Sequence, residues 1–306
     1  MRTRRSILTA TLAAVFAAAL HASPAFAQEK IPVIATFSIL GDLVKNVGGD
    51  RVEVGTLVGA NSDSHVYAPT PADAKKVAAA KVVFINGLGF EGWTTRLVKA
   101  SGTKASTVTV TKGIKTRKME GDDHGHGHGH QATDPHAWQS VANARIYVSN
   151  IRDGLIAADP AGKSGYEANA TAYLAKLDAL EAEVRETIAR IPADRRRIIT
   201  SHDAFGYFGA AYGIAFIAPN GVSTEAQVSA KDVARIITQV RKEKIPAVFM
   251  ENVSDPRLME QIGKESGAKI GGRLFSDALS DAKGSAPSYI EMMRHNVHQL
   301  ATALIS

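Results

Sequence analysis

No cysteine occurs among the 306 residues. Disulfides are therefore excluded, and so is a cysteine-linked lipid anchor near the start of the chain. Aromatic residues make up only 6% of the chain, few for the stacking platforms that nucleic-acid binders use. Charge of one sign is also scarce. The formal net charge of +6 falls to +3 once Arg2, Arg4 and Arg5 of the leader described below are set aside, too small an excess to argue for a nucleic-acid partner. No segment after the leader is both long and uncharged enough to span a bilayer, and no short tandem repeat is present. What is there is 45% apolar and 22% charged residues, enough to bury the core of one large domain or two lobes.

Residues 1–27 read as a secretory signal peptide. A basic start precedes an apolar run from Ile7 to Leu20, and Ala25-Phe26-Ala27 supplies an A-x-A cleavage site. Arg4-Arg5 leaves the choice between the general and the twin-arginine export routes open. A mature chain starting near Gln28 and lying in a bacterial periplasm is expected.

From Ile31 onward short β-branched runs alternate with helical stretches. Strands are predicted at Val33–Phe37, Val52–Leu57, Val82–Asn86 and Thr107–Thr111, then at Arg197–Thr200, Ala215–Ala218, Ala247–Glu251 and Lys269–Phe275. Thr70-Pro71-Ala72-Asp73 is a capping box with proline at the first helical position, and Ser164-Gly165-Tyr166-Glu167 reads as another. Helical stretches are also expected over 137–156, from a Ser229 cap paired with Asp232, over 255–266 and from about Ser288. Tyr173, Leu177, Leu180, Val184, Ile188 and Ile191 form one apolar stripe on a long helix ending at Pro192. The expected fold is α/β: two similar lobes with parallel βα sheets, joined by one long rigid helix, with a ligand site in the cleft between them. The expected boundaries are an N-terminal lobe over 28–160, a connecting helix over 161–192 and a C-terminal lobe over 193–306.

Ten histidines are present. His21 lies in the leader, His295 and His298 lie on the last helix, and His124, His126, His128 and His130 alternate with glycine in a low-complexity loop over 121–135. Three remain. His65 follows Asp63-Ser64, His136 follows Asp134-Pro135, and His202 follows Thr200-Ser201, each just after a predicted strand or at a loop-to-helix junction. Asp277 occupies the analogous place after the last strand. Ligands of open parallel sheets bind outside the carboxyl ends of the strands, so these four can converge, two from each half.

In these motifs, together with Thr36-Phe37-Ser38, Asn86-Gly87-Leu88-Gly89-Phe90-Glu91-Gly92-Trp93, Phe249-Met250-Glu251 and Phe275-Ser276-Asp277, the chain resembles the periplasmic metal-binding components of ABC importers in the ZnuA, TroA and AztC group. The likeness covers nearly the whole mature chain. It implies that His65, His136, His202 and Asp277 hold one buried metal ion. It also implies delivery of that ion to an inner-membrane permease with its ATPase, and no enzymatic activity. Manganese-binding relatives tend to carry Glu where this chain has His202, and Ser64 stands where many relatives have proline.

The donor set points the same way. Three neutral imidazoles and a carboxylate suit four-coordinate Zn2+, whereas calcium and magnesium prefer oxygen shells; Mn2+ is the alternative cargo, and copper or nickel would also accept these ligands. Asp134, Asp203 and Glu251 are candidates to accept the second N–H of a ligating imidazole, Asp134 and Asp203 being equally readable as helix caps. The loop histidines His124, His126, His128 and His130 form a candidate secondary metal site, suited to collecting zinc, taking it from a periplasmic zinc chaperone or sensing excess; the alternative is a tolerated polar insertion. A monomer is expected. A zinc-dependent hydrolase built on the same histidines is the other class to weigh, but a catalytic zinc keeps a position open for water, and this set fills four.

Three further motifs fail. Gly87-Leu88-Gly89-Phe90-Glu91-Gly92 matches a dinucleotide fingerprint but belongs to the third strand and lacks the downstream acid, so a tight turn is expected there. Gly162-Lys163-Ser164 lacks the first glycine of a phosphate loop, since Ala157 stands there. Ser201-His202-Asp203 are neighbours in sequence, and a hydrolase triad needs groups converging from separate places.

Overall fold

The structure, a computed structural model, describes residues 29–118, 133–219, 221, 224 and 228–305. The signal peptide and His124, His126, His128 and His130 lie outside the described residues. No helix among the described residues is long and apolar enough to cross a membrane.

Two parallel four-stranded sheets organise the chain. The first runs β2-β1-β3-β4, with β1 Ile31–Phe37, β2 Val52–Val58, β3 Val82–Ile85 and β4 Ser106–Thr109. The second runs β6-β5-β7-β8, with β5 Arg197–Ile199, β6 Ala215–Ile217, β7 Ala247–Glu251 and β8 Lys269–Leu274. All strand pairs are parallel. The central strands read as near-continuous apolar runs because helices cover both faces of a parallel sheet: Val33 to Phe37, polar only at Thr36, and Ala247 to Phe249 are all buried. The two sheets repeat one order, each with its switch point beside the central strand, so both direct their carboxyl-terminal loops at a shared crevice.

Nine α-helices lie among the described residues: α1 Ser38–Gly48, α2 Pro71–Ala79, α3 Thr94–Ser101, α4 Val141–Ala158, α5 Lys163–Ala189, α6 Gly206–Tyr212, α7 Ala230–Glu243, α8 Arg257–Ser266 and α9 Tyr289–Ile305. The Thr70 capping box forms at α2: its hydroxyl accepts from Asp73 N–H at 3.3 Å, and Asp73 accepts from Thr70 N–H at 2.9 Å. Ser229 likewise caps α7 by accepting from Asp232 N–H. The second expected box fails, because α5 starts at Lys163 behind Gly162 and Ser164 is already inside the helix. Pro160 begins a short 3-10 turn, Pro160–Gly162, that feeds α5 directly. The stretch expected as one helix from Ala137 is instead a 3-10 turn, Ala137–Gln139, followed by α4.

Helix α5 has 27 residues, about 40 Å at 1.5 Å per residue. It is embedded rather than merely bridging. Its stripe of Tyr173, Leu177, Leu180, Val184 and Ile188 is buried against α1, α4 and α9, each such side chain worth about 1.5–3 kcal/mol of burial. One continuous apolar core runs through both halves, from Val33 in β1 to Leu304 in α9. A smaller one, including Ile199, Ile236, Val240 and Met259, lies under α7 and α8.

The glycine-rich word after β3 is the expected tight turn. Gly87, Leu88 and Gly89 follow one another at φ of +84°, +57° and +83°, a left-handed run in which glycine carries no steric penalty at the flanking positions.

Candidate metal centre

Each of the four side chains leaves the carboxyl-terminal edge of a sheet. His65 lies in the connection between β2 and α2, and His136 immediately before the 3-10 turn that leads into α4; His202 follows β5 and Asp277 follows β8. The structure brings all four together, with one donor atom from each lying within 4.8 Å of the others. His65 Nε2 is 3.3 Å from His136 Nε2 and 3.2 Å from Asp277 Oδ2. His202 Nε2 is 3.1 Å from Asp277 Oδ2, and His136 Nε2 is 3.5 Å from Oδ1. Zinc–nitrogen bonds of 2.0–2.1 Å in a tetrahedron require ligand-to-ligand edges of about 3.3 Å. The contacts of 3.1–3.5 Å match such edges, while the other donor separations reach up to 4.8 Å, so the cluster is somewhat wider than a closed tetrahedral shell.

His136, His202 and Asp277 are fully buried, and His65 alone keeps a solvent-facing edge. Phe90 meets the His65 ring edge-on at 4.9 Å and the His136 ring at 5.9 Å, while Trp138 lies 5.3 Å from His136. This aromatic wall removes water and strengthens the electrostatics inside. Burial opposes charging His202, yet the negative charges of Glu251 and Asp277 outweigh it and hold the imidazole well above its ordinary pKa. Burial likewise opposes an ionised Asp277, and the His202 and His136 charges with the hydrogen bonds from His202 and His65 win, keeping it well below the usual carboxylate range. Oδ1 of Asp277 is buried with no hydrogen-bond partner among the described residues. Buried polar atoms are normally paired, so an unpaired carboxylate oxygen amid three imidazoles is chemically suited to a cation.

The candidates for a supporting layer divide. Asp134 Oδ1 accepts from both the backbone N–H and Nδ1 of His136, each at 2.9 Å. Glu251 Oε1 accepts from the backbone N–H groups of Ser201 at 2.7 Å and His202 at 2.9 Å, while Oε2 lies 2.6 Å from His202 Nδ1 in a close but poorly aligned charge contact. With Nδ1 of each ring facing a carboxylate, Nε2 is left to the cluster. Asp203 makes no hydrogen bond to a site imidazole among the described residues. Its N–H donates to Gly221 C=O at 3.1 Å, α6 has no side-chain cap, and burial raises its carboxyl above the ordinary range.

Other residues hold these four side chains in place without any sequence signal for their partners. Glu91 accepts from Thr36 Oγ1 at 2.5 Å, Asn86 N–H at 2.7 Å and Gly87 N–H at 3.2 Å, fixing the turn after β3. Asn86 Nδ2 then donates to Pro135 C=O at 2.9 Å, beside His136. Trp138 Nε1 and Gln139 Nε2 both donate to Ser276 C=O, at 2.9 and 2.7 Å, tying the Asp277 segment to the first lobe. Asn296 pairs with the N–H and C=O of Phe275, both at 2.8 Å. Glu91 and Trp138 sit beside recognisable words of the sequence, but nothing local reveals a partner 55 or 138 residues away. His295 donates to or accepts from nothing in the cluster; its Nε2 lies 2.9 Å from Arg273 C=O, and His298 is exposed.

Two parallel α/β lobes with three imidazoles and a carboxylate clustered where their loops meet are the features of a metal-binding protein, and the relatives that match the chain are substrate-binding components of metal ABC transporters. Residues 33–303 match the family described as zinc-uptake complex component A, periplasmic, and the chain belongs to that ZnuA family. It is 32% identical over 305 residues to the manganese ABC transporter substrate-binding lipoprotein PsaA of Streptococcus pneumoniae, spanning 98% of this chain and 97% of that one. It is 36% identical over 286 residues to the iron-binding protein YfeA of Yersinia pestis, spanning 93% and 90%. Among solved structures, the periplasmic zinc binding protein TroA from Treponema pallidum superposes with a TM-score of 0.83 at 30% identity, over 90% of this chain and all of that one.

Proposed function

We propose that this protein is a periplasmic carrier that captures Zn2+ through His65, His136, His202 and Asp277 and delivers it to an inner-membrane ABC permease driven by its ATPase. The observation that carries the reading is the convergence of four donors within 4.8 Å in a buried pocket. The relatives named above bind manganese, iron or zinc by their names, so the choice of ion rests on the donors. Imidazole suits zinc, while manganese favours carboxylate, carbonyl and water oxygen; three nitrogens against one carboxylate favour Zn2+ over Mn2+.

The reading extends to organisation. The lobes take residues 28–160 and 193–306, with residues 161–192 as the stiff connector, and the protein acts as a monomer after cleavage near Ala27. A shell filled by four protein donors leaves no position for a reacting water, so the protein binds and hands over its cargo without turnover. His124, His126, His128 and His130 gather zinc or receive it from a chaperone.

Elemental analysis with native mass spectrometry on protein purified from periplasm tests this. One zinc per chain is expected, and a His202→Ala variant should lose stoichiometric metal. Stoichiometric manganese instead would replace the zinc assignment, and undiminished zinc in the variant would remove His202 from the shell.

A further inference from the structure

Directly behind His136 the lobes meet on a polar joint that the metal cluster does not include. Arg117 C=O accepts Asp134 N–H at 3.0 Å, Arg117 N–H donates to the Tyr207 hydroxyl at 3.1 Å, and that hydroxyl donates to Asp134 C=O at 3.3 Å. Tyr207 belongs to α6 of the second lobe. The Arg117 guanidinium lies over the Tyr207 ring at 5.9 Å, with Nε 3.9 Å from Asp134 Oδ2. Nε is buried and has no hydrogen-bond partner among the described residues. Gly206 leaves the room for this approach, since a Cβ there would stand 2.6 Å from Asp134 Oδ2 and 3.3 Å from Arg117 Nε.

The two oxygens of Asp134 thus face opposite ways. Oδ1 is fixed by two bonds from His136, so its orientation does not depend on Arg117. At 3.9 Å without a hydrogen bond, Arg117 acts on Oδ2 as a charge. A carboxylate on Nδ1 of a ligating imidazole makes Nε2 a stronger ligand, and a guanidinium on the carboxylate's other oxygen takes part of that effect back. A carrier must release its ion as well as hold it.

Resting on the metal-carrier reading, we propose that Arg117 is a positioning residue that acts through Asp134 to weaken the grip of His136 on the metal and speed its release. The guanidinium side chain is 31% exposed, so the effect is that of a partly screened charge, about three- to tenfold.

The test is the rate at which zinc passes from the loaded full-length mature protein to excess chelator, followed by stopped flow. Arg117→Gln should slow release about three- to tenfold, Arg117→Lys should restore the native rate, and in an Asp134→Asn background Arg117→Gln should change nothing. Should the glutamine variant not fold, Arg117→Met keeps the stem packed on Tyr207 and gives the same comparison. Release as fast as or faster than native from a folded charge-removed variant, or equal slowing in the Asp134→Asn background, overturns the proposal. Failure of the native protein to take up zinc is a different result, seen before any variant is compared, and defeats the carrier reading itself.

Discussion

Replacing Glu251 with glutamine probes the site without touching a proposed ligand. Glu251 Oε1 holds two backbone N–H groups, from Ser201 and His202, and Oε2 sits 2.6 Å from His202 Nδ1. A carboxylate can accept both backbone bonds on Oε1 while Oε2 presents only acceptor lone pairs to Nδ1. Glutamine cannot, because one end of its amide is itself a donor. If its oxygen keeps the backbone bonds, its NH2 faces Nδ1 and favours the tautomer with the proton on Nε2, the nitrogen required for the metal. If the amide turns over, two backbone donors face an NH2 group and lose their acceptor, at about 1–3 kcal/mol for an unsatisfied buried group. Either way zinc affinity should fall about 10–100-fold, or about 1.4–2.7 kcal/mol. The measurement is a competition titration against a chromophoric chelator near neutral pH, with circular dichroism to show that the fold is retained. Affinity within twofold of native in a folded variant would refute the tautomer argument.

Metal binding should also expel protons. The folded pKa of His202 is raised, so its proton stabilises the metal-free protein fully below the ordinary imidazole range of about 6.5 and is lost only as pH rises through the elevated folded value. Zinc must displace it, so calorimetry in buffers of different ionisation enthalpy should report about one proton released per ion near neutral pH, and affinity should fall as the medium is acidified; no proton release would contradict this. Asn296→Ala removes both partners of the Phe275 backbone and should destabilise the protein by about 1–3 kcal/mol; zinc affinity should weaken because Asp277 follows two residues later, and an unchanged melting temperature would sink that account.

Much of the fold was legible in the sequence because its signals are local. The apolar-rich runs at Val33–Phe37 and Ala247–Met250, the Thr70 and Ser229 caps and the α5 stripe each depend on residues a few positions apart. The Ser164 box misled because a capping word says nothing of the 3-10 turn already feeding the helix at Gly162. That His65, His136, His202 and Asp277 could converge was readable in advance because the chemistry of histidine and aspartate is written in residue type, and parallel sheets send their carboxyl-terminal loops to one side.

Distance and environment were another matter. That Asp277 lies 3.1 Å from His202, that Glu91 braces Thr36 and Asn86, that Ser276 C=O collects two donors from the opposite lobe, and that Arg117 stands off Asp134 without bonding it are outcomes of packing between segments far apart in the chain. Residue identity dictated which groups could ligate or titrate. Only the closing of two lobes on one core decided which of them lost water, which found a partner and which were left buried and unpaired, because desolvation and hydrogen bonding depend on neighbours that sequence spacing does not encode.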